Sequence, residues 1–262
     1  MLKFPGITGR IAKLYINQDT LSVRIDLHKK YSVNQYGWHN WVFDQFAFGE
    51  NMKVLELGCG TGDIWIGREK QIPQNTKIIL SDISPLMSGK AKDNLENNEN
   101  FTFELFDIRK IPYNENEFDI VIANHILYHV TNPETALTEV SRVLKPGGVF
   151  YASTLGENSL KELTDIYRKH EKKVKFYYAK DISFSLDNGE TLLKNHFSKI
   201  EKRLYIDSLE VTSAENLMDY ILSYNDIPKN IQKKILGEIK NEIEKKGSFK
   251  IQKQQGMFVC TK

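Results

Sequence analysis

One stretch of ten residues constrains this chain more than any other: Val54 to Asp63, V-L-E-L-G-C-G-T-G-D. An apolar run suited to a buried strand passes directly into a turn with Gly58, Gly60 and Gly62 at alternate positions. Glycine adopts positive φ readily and lets a ligand come close to the main chain. Glu56 stands two residues before the first glycine. A turn built to cradle a pyrophosphate would avoid a carboxylate there, whereas one that holds a cationic, ribose-bearing ligand has a use for it. The spacing E-x-G-x-G-x-G also departs from the G-x-G-x-x-G of dinucleotide-binding turns. Alone, the cluster also allows a ligand-free strand-to-helix turn as the lesser alternative, and the neighbouring segments decide against it.

Thr76 to Asp82 is a short apolar run ending in an acid, followed by Ser84-Pro85, a helix N-cap and first-turn pair. Asp82 lies 20 residues after Gly62, where an acid reaches the ribose hydroxyls of a nucleotide held at the glycine turn. Phe101 to Ile108 alternates as a strand through Phe101, Phe103 and Leu105, with Asp107 near its end. Phe118 to Asn124 is nearly all apolar and suits a central parallel strand. From Pro133 to Leu144 apolar residues recur at helical spacing, with Asn132 as cap, and a further strand starts at Val149. A first helix is expected after the glycine turn, with Gly67 inside it at a cost of about 1 kcal/mol relative to alanine. Strands alternating with helices, with candidate ligand residues at strand carboxyl ends, predict an α/β doubly wound sheet.

Val54 to Ala152 resembles the class I S-adenosylmethionine-dependent methyltransferases. L-E-L-G-C-G-T-G is similar to their first motif and S-D-I-S-P-L-M to their second. F-D-I-R-K-I-P-Y-N-E-N-E-F-D-I-V is similar to the adenine-side motif, and L-T-E-V-S-R-V-L-K-P-G-G to the helix and turn after the fourth strand. The resemblance implies a Rossmann-like, seven-stranded mixed sheet with an N-terminal helical lid and a C-terminal helical insertion. It implies S-adenosylmethionine as cofactor and S-adenosylhomocysteine as product, with no metal. Residue by residue, Gly58, Cys59 and Gly60 would contact the methionine part through the backbone. Glu56 would orient the turn or accept from the ammonium. Asp82 would accept from the ribose hydroxyls, Ile83 and Met87 would pack on the adenine, Asp107 would accept from its amine beside Ile108, and Asn124 would lie near the sulfonium. Related enzymes often place a tyrosine from the amino-terminal region near cofactor or substrate, here Tyr31, with Tyr36 next.

Asn124 to His129, N-H-I-L-Y-H, follows the fourth strand, where the methyl group should point. His129 is the candidate for general base or substrate orientation, because histidine titrates near neutrality. A structural histidine bonded to a backbone carbonyl fits the same residue. His125 and Tyr128 are further substrate-binding candidates. Residues 1–50 are read as the lid, 51–154 as the cofactor core, and 155–262 as the second half of the sheet, all in one compact domain. In that second half, Lys199 to Asp207 and Ser248 to Thr261 read as an antiparallel edge pair. An insertion over about 212–247 is read as a substrate cap, in which Ile231, Ile235, Ile239 and Ile243 form one stripe. A dimer face is the alternative for that stripe.

Charged residues make up 27% of the 262 residues and the net charge is +2, so no strong field favours nucleic acid. The basic run Arg168-Lys169, Lys172-Lys173 and Lys175, followed by Phe176 to Tyr178, is read as a solvated helix face. No run of about 18 apolar residues is present, which argues against a membrane span. Two cysteines make no disulfide framework, and with no secretory signal the chain is expected in the cytoplasm. The expected activity is methyl transfer to an oxygen or nitrogen of a small-molecule acceptor. Alternatives are an RNA or protein methyltransferase, a non-catalytic cofactor-binding regulator, and a nicotinamide-dependent oxidoreductase, the last disfavoured by the glycine spacing.

Overall fold

The computed structural model describes residues 18–95, 98–170, 183–224 and 226–262. The first 17 residues of the expected lid, and the part of the basic run from Lys172 to Tyr178, lie outside them. The chain forms two compact units. One gathers the described parts of Met1–Gln35, Gly156–Ile182 and Ile206–Gln255; the other comprises Tyr36–Leu155, Ser183–Tyr205 and Gly256–Lys262. This division differs from the sequential one into 1–50, 51–154 and 155–262, because two long strands of the chain's second half contribute to both units.

The second unit carries the parallel strands β1 (Lys53–Leu57), β2 (Lys77–Asp82), β3 (Phe101–Leu105), β4 (Phe118–Asn124) and β5 (Leu144–Leu155). With β6 (Lys199–Val211) and β7 (Phe249–Thr261) they make a seven-stranded sheet in the order β3-β2-β1-β4-β5-β7-β6. The amide of Lys262 donates to Gly148 and that of Gly156 to Gln254, so β7 runs antiparallel to β5. Ser198 donates to Thr261, and Gly256 lies against the Arg203 carbonyl, so β6 runs antiparallel to β7. The sheet is therefore mixed, with the expected antiparallel pair at one edge.

Alternation along the strands feeds two apolar layers. Leu55, Leu57, Ile79, Val121 and Ala123 enter one core with Ala136, Leu137, Val140 and Val143 of the helix Pro133–Val143. Val54, Ile78, Leu80, Ile120 and Ile122 enter the other with Trp65, Ala91 and Leu95. Both faces of β1 and β4 are thus covered, which is why these strands read as continuous apolar runs. Leu105 is 56% exposed, because β3 forms an edge of the sheet. Asn132 occupies the N-cap position, but its amide donates to Thr135 Oγ1 (3.0 Å) rather than capping a backbone amide with its oxygen.

The expected helix around Gly67 is absent. Between β1 and β2 the chain makes successive tight turns, in which Gly62 donates to Cys59, Trp65 to Gly62, and Arg68 to Trp65, before one 3-10 turn at Glu69–Gln71. Gly62 (φ +77°) and Gly67 (φ +75°) both lie in the left-handed region. Two such residues five apart leave no room for an α-helix. Trp65, fully buried, anchors the segment in place of a helical apolar face.

The first unit is built on helices α1 (Gln18–Tyr31), α2 (Lys161–His170), α3 (Ala214–Leu222) and α4 (Lys229–Lys246). The isoleucine stripe forms as expected: Ile231, Ile235 and Ile239 are buried with Leu163, Tyr167, Leu217 and Ile221, and Ile243 packs at the rim. The stripe is covered within its own unit. Gly247 (φ +82°) ends α4, donating to the Ile243 carbonyl. Replacing Ile239 with alanine is expected to lower stability by about 2–5 kcal/mol in urea unfolding. A loss below about 1 kcal/mol would contradict its place in this core.

Candidate functional site

The turn after β1 positions the site. Gly58, Gly60 and Gly62 all have positive φ, at +68°, +58° and +77°. A Cβ at Gly58 would lie 2.6 Å from Ile126, and one at Gly62 would lie 2.9 Å from the tip of Leu95, while the positive φ at both disfavours any side chain. A Cβ at Gly60 would meet nothing within 4 Å. The main chain there faces open space and is available to a ligand. The Cys59 amide donates to the Ser81 carbonyl, and its buried thiol is pushed above its usual pKa by desolvation.

Asp82 ends β2 and fixes the turn. Its Oδ2 accepts from the Gly60 amide (3.0 Å) and its Oδ1 from the Ser84 amide (2.8 Å). Burial raises its pKa, with the amides of Ser84, Gly60 and Ile83 working in the opposite direction. With three amides on about four acceptor positions, the carboxylate keeps a lone pair for a ligand hydroxyl. Ser84 caps the helix Pro85–Asn94 by accepting from Met87, which is buried, while Ile83 is half-buried beside the turn. Asp107 lies past the end of β3. Burial opposes its ionisation, but the Arg109 guanidinium (2.6 Å) and amide (2.9 Å) more than offset this and hold its pKa low. Ile108 packs partly buried on the core.

Glu56 is 1% exposed, and its Oε2 accepts from Trp65 Nε1 at 2.5 Å. Desolvation raises its pKa to about 8 although the Trp65 bond pulls the other way, so near pH 7 this carboxyl is largely protonated. An ammonium brought beside it would favour the ionised form.

At the carboxyl end of β4, Asn124 accepts from the Ser153 hydroxyl, and Ser153 Oγ in turn accepts from the His125 amide (3.0 Å). His125 holds φ +53°, a conformation uncommon for a residue with a side chain. A linked aromatic array begins there, with Trp38 against His125 (4.9 Å between centroids), His125 against Tyr128 (5.9 Å), and Tyr128 against His129 (4.3 Å). His129 is buried and its pKa is pushed down to about 4 by desolvation. Its imidazole is therefore neutral at pH 7, which suits orientation more than proton uptake.

The second unit thus contains the glycine turn, Glu56, Asp82, Ile83, Met87, Asp107, Ile108, Asn124, His125, Tyr128, His129 and Tyr36. Tyr36 is exposed, and its hydroxyl donates to Asp44. Tyr31 belongs to the first unit, where its hydroxyl accepts from Asn216 (2.9 Å). Sequence reasoning missed Trp65, Arg109 and Ser153. Arg109 was legible in principle as a cation two residues from Asp107. Ser153 is brought beside Asn124 only by the β4–β5 register. No cluster of three or more metal-ligating side chains occurs among the described residues, nor is any described helix long and apolar enough to cross a membrane.

The profile of the methyltransferase domain family matches residues 48–204, more than half of the chain. A demethylmenaquinone methyltransferase of Staphylococcus aureus is 28% identical over 62% of this chain and 67% of its own length. A malonyl-[acyl-carrier protein] O-methyltransferase of Buchnera aphidicola is 32% identical over 59% of this chain and 64% of its own. Matches to the first curated relatives span between 37% and 67% of their lengths. Among solved structures, a phosphoethanolamine N-methyltransferase of Haemonchus contortus, in complex with S-adenosyl-L-methionine, superposes with a TM-score of 0.59 at 15% identity, over 100% of this chain and 60% of that one. At that identity the likeness concerns the fold.

The raised pKa of Glu56 links stability to pH. Its carboxyl binds a proton more tightly in the folded chain than in the unfolded one, so its contribution is greatest below about pH 4.5 and is lost as pH rises toward about 8. Within that window the loss approaches about 1.4 kcal/mol per pH unit. Glu56→Gln keeps an acceptor for Trp65 and removes the titration. Urea unfolding is expected to show the variant gaining on the wild type as pH rises from about 5 to 8. A difference that stays constant with pH would contradict the buried, protonated carboxyl.

Proposed function

Because the chain belongs to the methyltransferase domain family, we propose that it transfers the methyl group of S-adenosylmethionine to an oxygen or nitrogen of a small-molecule acceptor. The observation that carries this reading is the Asp82 carboxylate, held by the Gly60 and Ser84 amides beside a main-chain stretch that faces open space. Carboxylates suit a ligand with a ribose diol and two cationic centres, and no metal is needed to bind it. When bound, the cofactor supplies an electrophilic methyl group on a sulfonium.

The chain's own residues then have three tasks. Asp82 accepts from the ribose hydroxyls, and Asp107, oriented by Arg109, accepts from the adenine amine between Ile83, Met87 and Ile108. Gly58, Cys59 and Gly60 present their backbone to the methionine part, with Glu56 beneath them. Asn124, fixed by Ser153, stands at the end of β4, where the acceptor meets the methyl carbon. The cofactor held there would give its methyl carbon to that oxygen or nitrogen and keep the carbon–sulfur bonding pair as a neutral thioether. The acceptor's proton leaves to a base or to solvent. Holding the reactants in line contributes roughly 7–11 kcal/mol of the barrier reduction, so side-chain chemistry has little more to supply. Neutral His129 orients an acceptor hydroxyl or amine, with Tyr128 and His125 alongside. Tyr31 and Tyr36 remain candidates for substrate contact. The named relatives methylate different atoms: the acyl-carrier-protein enzyme is an O-methyltransferase and the Haemonchus enzyme an N-methyltransferase.

Incubation with methyl-labelled S-adenosylmethionine and parallel panels of phenols, carboxylic acids, amines, transfer RNA and peptides tests the reading. Label is expected in a small oxygen or nitrogen acceptor. Label in carbon, in RNA or in peptide alone would overturn the acceptor class, and binding of the cofactor without any product would mark a regulator.

A further inference from the structure

Within the second unit, the short helix Trp38–Phe43 touches both halves of the proposed methyl-transfer site. Its six residues make fewer than two turns, too few to hold a helix without tertiary support. Gly37 stands at its N-cap position with φ +87° and supplies no side-chain cap. The helix is therefore placed by what its side chains meet.

At its start, Trp38 lies against His125, just past the carboxyl end of β4, with 4.9 Å between ring centroids. Two residues on, Asn40 Oδ1 accepts from Arg68 Nη2. Arg68 belongs to the stretch that leaves the glycine turn. Its Nη1 donates to the Ile64 carbonyl (2.8 Å) and reaches the carbonyls of Ile66 (3.3 Å) and Asp63 (3.4 Å). Its guanidinium also lies 5.6 Å from the Phe43 ring centroid. A second link runs beside the first. Phe43 and, past the helix, Phe46 pack on Trp65 at 6.0 and 6.1 Å, and the Trp65 indole holds Glu56 beneath the turn.

The residue type suits the task. In an α-helix the carbonyls of Asp63, Ile64 and Ile66 would accept from amides four residues on. This stretch is not helical, and Arg68 supplies the donors instead. Its planar fork serves these carbonyls from one nitrogen and leaves the other for Asn40, a geometry that the point charge of a lysine does not fix. A side chain that only had to close the turn could have ended on the carbonyls. This one crosses to the helix that carries Trp38.

We propose, resting on the methyl-transfer reading, that Arg68 is a positioning residue for that reaction. By joining the methyl-donor turn to Asn40, it sets the Trp38 indole against His125, beside the place of the acceptor. A donor seated on the main chain from Gly58 to Gly60 orders the stretch from which Trp65 and Arg68 project. Local opening of the helix is then less favourable than in the ligand-free chain.

Hydrogen exchange of the full chain reads this placement at Trp41, Asp44, Gln45 and Phe46, whose amides donate to Gly37, Asn40, Val42 and Phe43. In the ligand-free protein, Arg68→Ala and Asn40→Ala are each expected to lower the protection of these amides at least ~10-fold, the lower end for a bond to a charged group. Asn40→Asp keeps an oxygen for Arg68 and is expected to restore most of it. Should Arg68→Ala fail to fold, Asn40→Ala decides. Saturating S-adenosylhomocysteine is expected to raise protection of the same amides in the wild type and not in Asn40→Ala, although both bind it equally. On the acceptor that takes label, Asn40→Ala is expected to raise KM. Unchanged protection in the ligand-free variants, an equal gain with S-adenosylhomocysteine in wild type and Asn40→Ala, or an unchanged acceptor KM would overturn the role of Arg68. Absence of S-adenosylhomocysteine binding to the wild type would instead overturn the methyl-donor reading on which that role rests.

Discussion

One hydrogen bond organises the candidate methyl-donor site: the Gly60 amide to the Asp82 carboxylate. It joins the turn after β1 to the end of β2, while the other carboxylate oxygen receives the amide that opens the next helix. A bond of this kind, to a charged acceptor, is worth about 1.5–3 kcal/mol. Its effect is also geometric. It holds the glycine turn in its left-handed conformations, with Ile126 and Leu95 in the space that Cβ atoms at Gly58 and Gly62 would take, and leaves the backbone open at Gly60. The β1–β2 register, Val54 with Ile78 through Leu57 with Ser81, brings the two partners within reach.

A second constraint lies beneath the turn. Burying Glu56 is unfavourable, and the Trp65 indole meets that demand only in part, so the carboxyl stays largely protonated near neutrality. The same indole replaces a helix. The segment from Gly58 to Thr76 has no α-helical face to bury, and Trp65 anchors it instead, packed against Phe43, Phe46 and Phe101. Local electrostatics and local packing thus depend on one side chain. An arriving ammonium would shift the balance by giving the carboxylate a charged partner.

Much of the sheet was legible in the sequence because its strands are buried on both faces and end in acids or glycines. Asp82, Asp107 and Asn124 lie at or just past the carboxyl ends of their strands, as the spacing implies. The absent helix around Gly67 was not legible, because glycine's sequence symbol does not say whether φ is positive, and two left-handed residues suffice to end a helix. Ser153 escaped notice because only a strand register 29 residues apart brings it to Asn124. The hydrogen bond from Arg24 on α1 to Ser223 at the end of α3 escaped for the same reason on a larger scale. The two residues are 199 apart, and no periodicity within either helix announces the other. His129 read as a neutral-range titrating group, whereas burial moves it to about 4, an effect of surroundings rather than of residue type.

Calorimetric titration of the wild type and Asp82→Ala with S-adenosylhomocysteine, with NAD as control, tests the central claim most directly. Micromolar binding by the wild type, binding weakened ~10- to 150-fold in the variant, and no response to NAD are the expected results. Equal affinity in the two proteins, or binding of NAD in preference to the sulfur compound, would contradict the assignment of Asp82 and of the glycine turn it holds.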